Sequence, residues 1–244
     1  MVLSDSPSFA VVIPMFNEEA GAEACVRTVC AELQRLDPKA RLFVVEDGSR
    51  DRTAEILREL ENTTPALTVK FHGENRGYGQ ALVTGGRAAH DAGFDYAVFM
   101  DSDLTNDPKD IAGFIAKMRE GHDSIKASRY IAGGGASGVP PFRRAISIVG
   151  NSLARILMRI PIHDLTNGFR AVRTSAFVRI PFRENKFAII MEELYYLKRM
   201  GCSFAEVPNV LRTRSDDRRR TSFSYRPSTF AQYLKYPLKS FFGL

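Results

Sequence analysis

Four times before Asp101, an apolar run of strand length precedes or follows a segment of helical periodicity, and this alternation constrains the chain more than any other feature. The runs are Phe9-Ala10-Val11-Val12-Ile13-Pro14, Arg41-Leu42-Phe43-Val44-Val45, Leu67 to Phe71 and Tyr96-Ala97-Val98-Phe99-Met100. Continuous apolar runs of this length predict strands covered on both faces, as in a parallel sheet. Between them, Ala22, Cys25, Val26, Val29, Leu33 and Leu36 recur at helical spacing. Ile56, Leu57 and Leu60 mark a second helix with Asp51 as its expected N-cap, and Gly79 to Ala92 reads as a third. The implied class is α/β, one mostly parallel central sheet with helices on both faces. Such sheets bind ligands beyond the carboxyl ends of their strands. Asn17-Glu18-Glu19, Glu46-Asp47, Asn75-Arg76 and Asp101-Ser102-Asp103 fall at those ends, so they are expected to converge on one crevice.

Beyond residue 120 the rhythm changes. Ser124 to Ser128 predicts another strand, and Gly133-Gly134-Gly135 with Gly138-Val139-Pro140-Pro141 predicts a flexible loop. Ala145, Ile146, Val149, Leu153, Ile156, Leu157 and Ile160 form a helical pattern flanked by arginines. A shorter helix near Glu192 to Met200 and a strand at Ala205 to Leu211 follow. The tail, residues 227–244, sets Phe230, Leu234, Leu238, Phe241 and Phe242 against Lys235 and Lys239 and is interrupted by Pro237. Such a basic amphipathic segment lies in a bilayer interface, or packs on its own domain or a partner. No linker or repeat divides the rest, so residues 1–226 are read as one domain, with a nucleotide-binding half at about 9–120 and an acceptor half at about 121–226.

The net charge of +6 favours anionic partners: nucleotides, phospholipid surfaces or nucleic acid. The basic residues show no nucleic-acid module or aromatic stacking platform, so a nucleic-acid partner is not expected. Cys25, Cys30 and Cys202 have no metal-ligand spacing and suggest a reducing compartment. Residues 1–8 lack the apolar core of a signal peptide, and no charge-free apolar run is long enough to span a bilayer. The expected location is the cytoplasm or the cytoplasmic face of a membrane.

Asp101 and Asp103, two residues apart on an extended turn, project to one side. Carboxylates so placed suit Mg²⁺ or Mn²⁺, with substrate phosphates completing the coordination shell, and the cation would ease departure of a nucleoside diphosphate. Taken alone, the pair also fits ordinary turn chemistry. Glu46 and Asp47 either accept hydrogen bonds from a base and ribose or shape the following turn. Gly77-Tyr78-Gly79 lacks the third glycine of a dinucleotide fingerprint, since Leu82 stands there, and no Walker lysine motif occurs. Dinucleotide-dependent and ATP-hydrolysing functions are therefore disfavoured.

The ordered set of motifs resembles the family 2 glycosyltransferases of GT-A fold, and among them the dolichol- or polyprenyl-phosphate hexosyltransferases. Residues from about Phe9 to Arg214 carry the likeness: Val12-Ile13-Pro14-Met15-Phe16-Asn17-Glu18, Glu46-Asp47-Gly48-Ser49, Asn75-Arg76-Gly77-Tyr78-Gly79, Asp101-Ser102-Asp103-Leu104 with Pro108, Ala127-Ser128-Arg129-Tyr130, Asp164-Leu165-Thr166-Asn167-Gly168-Phe169-Arg170 and Glu206-Val207-Pro208. The resemblance implies that Pro14, Phe16, Glu18, Glu46, Asp47, Asn75, Arg76 and Ser102 surround the nucleotide sugar, and that Asp101 and Asp103 hold the metal and diphosphate. It implies that Arg129, Arg143, Arg170 and Arg220 face acceptor phosphate. A lipid-phosphate acceptor needs no strong base, whereas a glycan or protein hydroxyl needs a carboxylate, with Glu192 first by family position and Asp164 and Glu193 behind it. Inversion by a single displacement is implied in either case. A catalytically silent nucleotide-sugar-binding subunit is the alternative from another class. Two departures bear on the acceptor. Residues 215–225 replace the family's Arg-x-x-Gly-x-Ser-Lys loop, with Arg219 or Arg220 in place of the lysine, and Thr105 stands where glutamine is common. The attachment implied is peripheral membrane contact or a membrane-protein partner.

Overall fold

Along β1 (Phe9–Met15) successive side chains leave opposite faces of the strand. Val11 and Ile13 enter one apolar cluster, Ala10 and Val12 another, and all four are fully buried. Both faces therefore need covering, which the helices between strands supply. The computed structural model describes residues 7–212 and 227–243.

In chain order β1 is followed by α1 (Ala22–Leu36), β2 (Arg41–Glu46), α2 (Thr53–Thr63), β3 (Leu67–Phe71), α3 (Tyr78–Asp91), β4 (Tyr96–Phe99), α4 (Ile111–Arg119) and β5 (Ser124–Ser128). Then come β6 (Gly135–Ala136), α5 (Pro141–Met158), β7 (Arg170–Arg173), α6 (Thr174–Phe177), α7 (Ile189–Arg199), β8 (Phe204–Pro208), β9 (Val210–Leu211) and α8 (Pro227–Phe242). The main sheet runs β3-β2-β1-β4-β7-β5-β8. All its strands share one direction except β7, which is antiparallel to β4 and β5. Side chains of α1 and α4 pack on one face, and those of α3, α6 and α7 on the other.

The first five strands agree with the sequence expectation to within a residue or two at each end. Asp51 lies just before the helix it was expected to cap, and its Oδ1 accepts the Thr53 N–H (3.0 Å) and hydroxyl (2.5 Å). The anticipated flexible loop contains β6, which pairs with β9 in a separate small sheet. The strand expected over 205–211 is accordingly two strands in two sheets. Residues 170–173, expected only as part of a site motif, form β7 because their backbone fills the gap between β4 and β5. The C-terminal tail is a helix seated on the domain: Tyr236 is 2% exposed and joins α5 and α7 residues in a third apolar cluster.

Helix α3 crosses close over β1. A Cβ at Gly85 would stand 2.2 Å from Val12 Cγ1. That approach brings the first turn of α3, with Tyr78, to the carboxyl edge of the sheet.

Candidate active site

The loops leaving β1 and β2 are tied together by hydrogen bonds. Asn17 adopts a left-handed backbone (φ 54) and its Oδ1 accepts the Arg50 N–H at 2.8 Å, while the Thr53 hydroxyl accepts the Glu18 N–H at 2.8 Å. Glu46 Oε2 and Oε1 accept the N–H groups of Gly48 (3.2 Å) and Ser49 (2.6 Å). Asp47 accepts those of Arg76 and Gly77, both at 2.9 Å, and lies 2.6 Å from His72 Nδ1. Glu46 and Asp47 are each 3% exposed. In the structure these carboxylates hold the loop after β2 and the loop before α3, the turn-shaping role expected as the alternative. In the loops after β1 and β3, Phe16, Asn75 and Arg76 are exposed and Glu18 is half-buried, as is Pro14 near the end of β1.

At the end of β4 the turn is shaped by its own carboxylates. Leu104 is left-handed (φ 53), a conformation that costs a β-substituted residue about 1–2 kcal/mol. Asp103 Oδ1 accepts both the N–H (3.1 Å) and the hydroxyl (2.8 Å) of Thr105. Asp101 Oδ1 accepts the Tyr78 hydroxyl at 3.2 Å. Burial and Asp101 push the Tyr78 phenol well above its usual range, so it remains a donor. A Cβ on Gly168 would come within 3.3 Å of Asp101 Oδ2, so the glycine keeps that side of the carboxylate clear. Asp101, Ser102 and Asp103 are all half-buried. Two carboxylates at the rim of a strand end suit a hard divalent cation that takes its remaining ligands from substrate phosphates and water. Among the described residues no group of three or more His, Cys, Asp or Glu side chains gathers as a metal centre.

Just after β5, Arg129 is gripped by Asp164, which is fully buried. Asp164 accepts Nε at 2.7 Å, Nη2 at 2.9 Å and the Arg129 N–H at 3.1 Å. Thr166 Oγ1 accepts Nη2 at 3.2 Å. The Arg129 side chain keeps 17% of its surface exposed, so the guanidinium is fixed by a buried anion while part of it stays at the surface. Arg143 lies half-buried in the first turn of α5, near the Phe142 ring.

Arg170 differs from expectation. It is fully buried, donates Nε and Nη2 to Glu193 at 2.6 and 2.7 Å, and stacks 4.4 Å over the Phe99 ring. A guanidinium sealed between a carboxylate and an aromatic ring does not meet acceptor phosphate. Beside it, buried Lys126 donates to the Asn167 carbonyl, and burial reinforced by Arg170 lowers its ammonium to about 7.

Glu192, the expected base, is also fully buried. Its Oε1 accepts the Arg183 N–H (3.1 Å) and the Tyr236 hydroxyl (2.7 Å), and its Oε2 accepts the Arg183 (3.0 Å) and Glu184 (2.9 Å) N–H groups. Its acceptor positions are filled, and it joins the loop before α7 to α8. Arg219 and Arg220 lie outside the described residues. Lys126 and Tyr236 were not singled out from sequence, and Tyr78 and Gly168 appeared there only as members of motifs, with no role of their own.

The model for "Glycosyl transferase family 2" matches residues 10–180. The chain belongs to glycosyl transferase family 2. Among relatives of this family 2 glycosyltransferase, polyprenol monophosphomannose synthase of Mycolicibacterium smegmatis is 30% identical over 171 residues, 70% of this chain and 63% of that protein. Dolichol-phosphate mannosyltransferase of Pyrococcus furiosus is 30% identical over 229 residues, 93% of this chain and 62% of that protein. The chain therefore spans less than two thirds of the length of either. A crystal structure of glucosyl-3-phosphoglycerate synthase from Mycobacterium tuberculosis, in complex with Mn²⁺, UDP and glucosyl-3-phosphoglycerate, superposes with a TM-score of 0.66 at 20% identity, covering 96% of this chain and 80% of that one. At that identity the likeness is one of fold, and it agrees with the expected GT-A architecture. In this family 2 glycosyltransferase the matched span ends before α7, so Glu192, Tyr233 and Tyr236 lie beyond it.

Proposed function

We propose that this chain transfers a hexose from a nucleotide-diphosphate sugar, of the GDP-mannose or UDP-glucose type, to a polyprenyl or dolichyl phosphate, inverting the anomeric carbon. The observation that carries the reading is the state of the candidate bases. Glu192 and Asp164 are fully buried and engaged by fixed donors, whereas Arg129 is held in place with part of its side chain at the surface. A hydroxyl acceptor needs a base, while a phosphate monoester brings an oxygen that is already ionised. Arg129, with Arg143, would hold that phosphate. Donor and acceptor are then brought into line by position and charge rather than by proton abstraction. Asp101 and Asp103 would hold Mg²⁺ or Mn²⁺, which when bound offsets the charge developing on the leaving diphosphate. Phe16 offers an apolar ring at the crevice mouth, suited to the face of a nucleobase.

Incubation with labelled GDP-mannose or UDP-glucose, Mn²⁺ and a polyprenyl phosphate is expected to place label in the lipid extract. Label recovered only as free sugar, or only on a hydroxyl acceptor, overturns the proposal.

A lipid acceptor also calls for a surface at the bilayer. Along α5, Phe142, Ile146, Val149, Leu153 and Ile156 recur at helical spacing and are all exposed, while Ala154 and Met158 face the domain. Leu238, Phe241 and Phe242 of α8 are exposed too. So much outward apolar surface is unusual for a soluble monomer. It is bordered by Arg144, Arg159, Lys235 and Lys239, which suits anionic headgroups. No described helix is long and apolar enough to cross a membrane. The wild-type chain is expected to float with phosphatidylglycerol vesicles, and Val149→Asp combined with Phe241→Asp to remain at the bottom of the gradient. Equal flotation of both would remove α5 and α8 as the contact.

A further inference from the structure

The carboxylate expected to be the base has another position to explain, since it links two parts of the molecule that are distant in sequence. Glu192 holds the N–H groups of Arg183 and Glu184 on one side and the Tyr236 hydroxyl on the other. Tyr236 also reaches Glu184 Oε1 at 3.0 Å, and Lys235 pairs with the same carboxylate. The loop so fastened lies directly on the first turn of α3. The Asn185 carbonyl accepts the Gly79 N–H at 2.9 Å, and a Cβ at Gly77 or Gly79 would stand 2.5 Å from the Asn185 carbonyl oxygen or 2.4 Å from that of Glu184. Only glycine at those two places lets the backbones touch. The same loop supplies Phe187, whose ring packs 4.7 Å from that of Tyr78. Tyr78 in turn donates to Asp101.

We propose that Glu192 and Tyr236 are positioning residues: together they fasten the 183–187 loop against Gly77–Gly79, so that α8 sets where Tyr78 holds Asp101. The inference rests on the reading above that Asp101 and Asp103 receive the donor diphosphate with its cation. Neither residue touches the reacting atoms. Burial and two flanking carboxylates push the Tyr236 phenol far up, so it stays protonated and acts as a fixed pin. Tyr233, one turn earlier in α8, packs against the apolar cluster that α8 shares with α5 and α7. The donor site and the surface assigned to the membrane thereby share one helix.

The conservative variant separates this role from that of a base. A glutamine at 192 can keep its carbonyl on the Arg183 and Glu184 N–H groups and offer its amide to the Tyr236 hydroxyl, which also accepts. Binding of Mn²⁺ with GDP, and in parallel with UDP, is measured by calorimetry on the full chain, alongside donor KM and kcat. Tyr236→Phe and Glu192→Ala are expected to weaken Mn²⁺–nucleotide binding and raise donor KM about tenfold, a shift on the order of 1.4 kcal/mol. Glu192→Gln is expected to stay within about threefold of wild type in both, the scale of a rearranged neutral hydrogen bond. Should Glu192→Ala fail to fold, Tyr236→Phe carries the test. A thousandfold fall of kcat in Glu192→Gln with donor KM unchanged would make Glu192 a base and overturn the proposal. Unaltered nucleotide binding and KM in Tyr236→Phe also overturns it. Asp103→Ala serves as the separate control: if that variant binds Mn²⁺–nucleotide like wild type, the assignment of the diphosphate site fails, whatever the clamp variants do.

Discussion

Alanine at position 103 is expected to lower kcat/KM for the sugar donor by about 10²–10³-fold, the usual effect of deleting one preorganised electrostatic element. The reasoning starts from the turn after β4. Asp103 is half-buried, and one of its oxygens is fixed by the Thr105 N–H and hydroxyl. A carboxylate oriented in advance needs little reorganisation when charge builds on a departing diphosphate. Asp101→Asn supplies the complementary measurement. Its amide oxygen still accepts the Tyr78 hydroxyl, so the local geometry is retained while the negative charge is removed. If charge matters, Asp101→Asn falls with Asp103→Ala; if only shape matters, it stays close to wild type. Steady-state kinetics at saturating Mn²⁺ decides between them, and full activity in both variants would remove the Asp101-Ser102-Asp103 turn from the active site.

The second large effect is on stability. Glu193→Ala leaves the Arg170 guanidinium buried without its counter-ion, a situation that costs about 3–5 kcal/mol. For a chain of this size that corresponds to a fall in Tm of roughly 10 °C. The double replacement Arg170→Met with Glu193→Leu exchanges the ion pair for apolar side chains, and is expected to recover most of the loss. It should also keep most of the transfer activity, because Arg170 stacks on Phe99 and meets no acceptor. A double variant that melts like wild type yet transfers nothing would restore Arg170 to the acceptor site.

Much of the fold was legible because its first half obeys simple rules. β1 and β2 are buried on both faces and therefore read as apolar runs, and the helices between them carry clean stripes such as Cys25, Val29 and Leu33. The second half is less regular. β5 was read as a strand although Lys126 is fully buried within it, but β7 begins at fully buried Arg170, and a buried cation interrupts the apolar pattern that marks a strand. That polar residues gather at the strand ends was legible from the sequence, and Asp101 and Asp103 lie just after β4 as expected. Their individual roles were less so. A sequence shows that Glu46, Asp47, Asp164 and Glu192 are acids, but not which backbone N–H groups they meet. For Asp47, Asp164 and Glu192 the partners include segments far apart in the chain, such as Arg76 for Asp47, Arg129 for Asp164 and Tyr236 for Glu192.

The position of β7 has a consequence for how the molecule is made. This strand lies between β4 and β5, yet it leaves the ribosome after β5 does. A nascent chain that has emerged only through β5 can pair β1 to β4, but β5 has no neighbour to join until residue 173 is available. During that interval β4 presents an unpaired edge, the kind of surface that other chains adhere to. A fragment that stops at β5 therefore leaves the β4 edge open, since the strand that closes it is encoded some forty residues later.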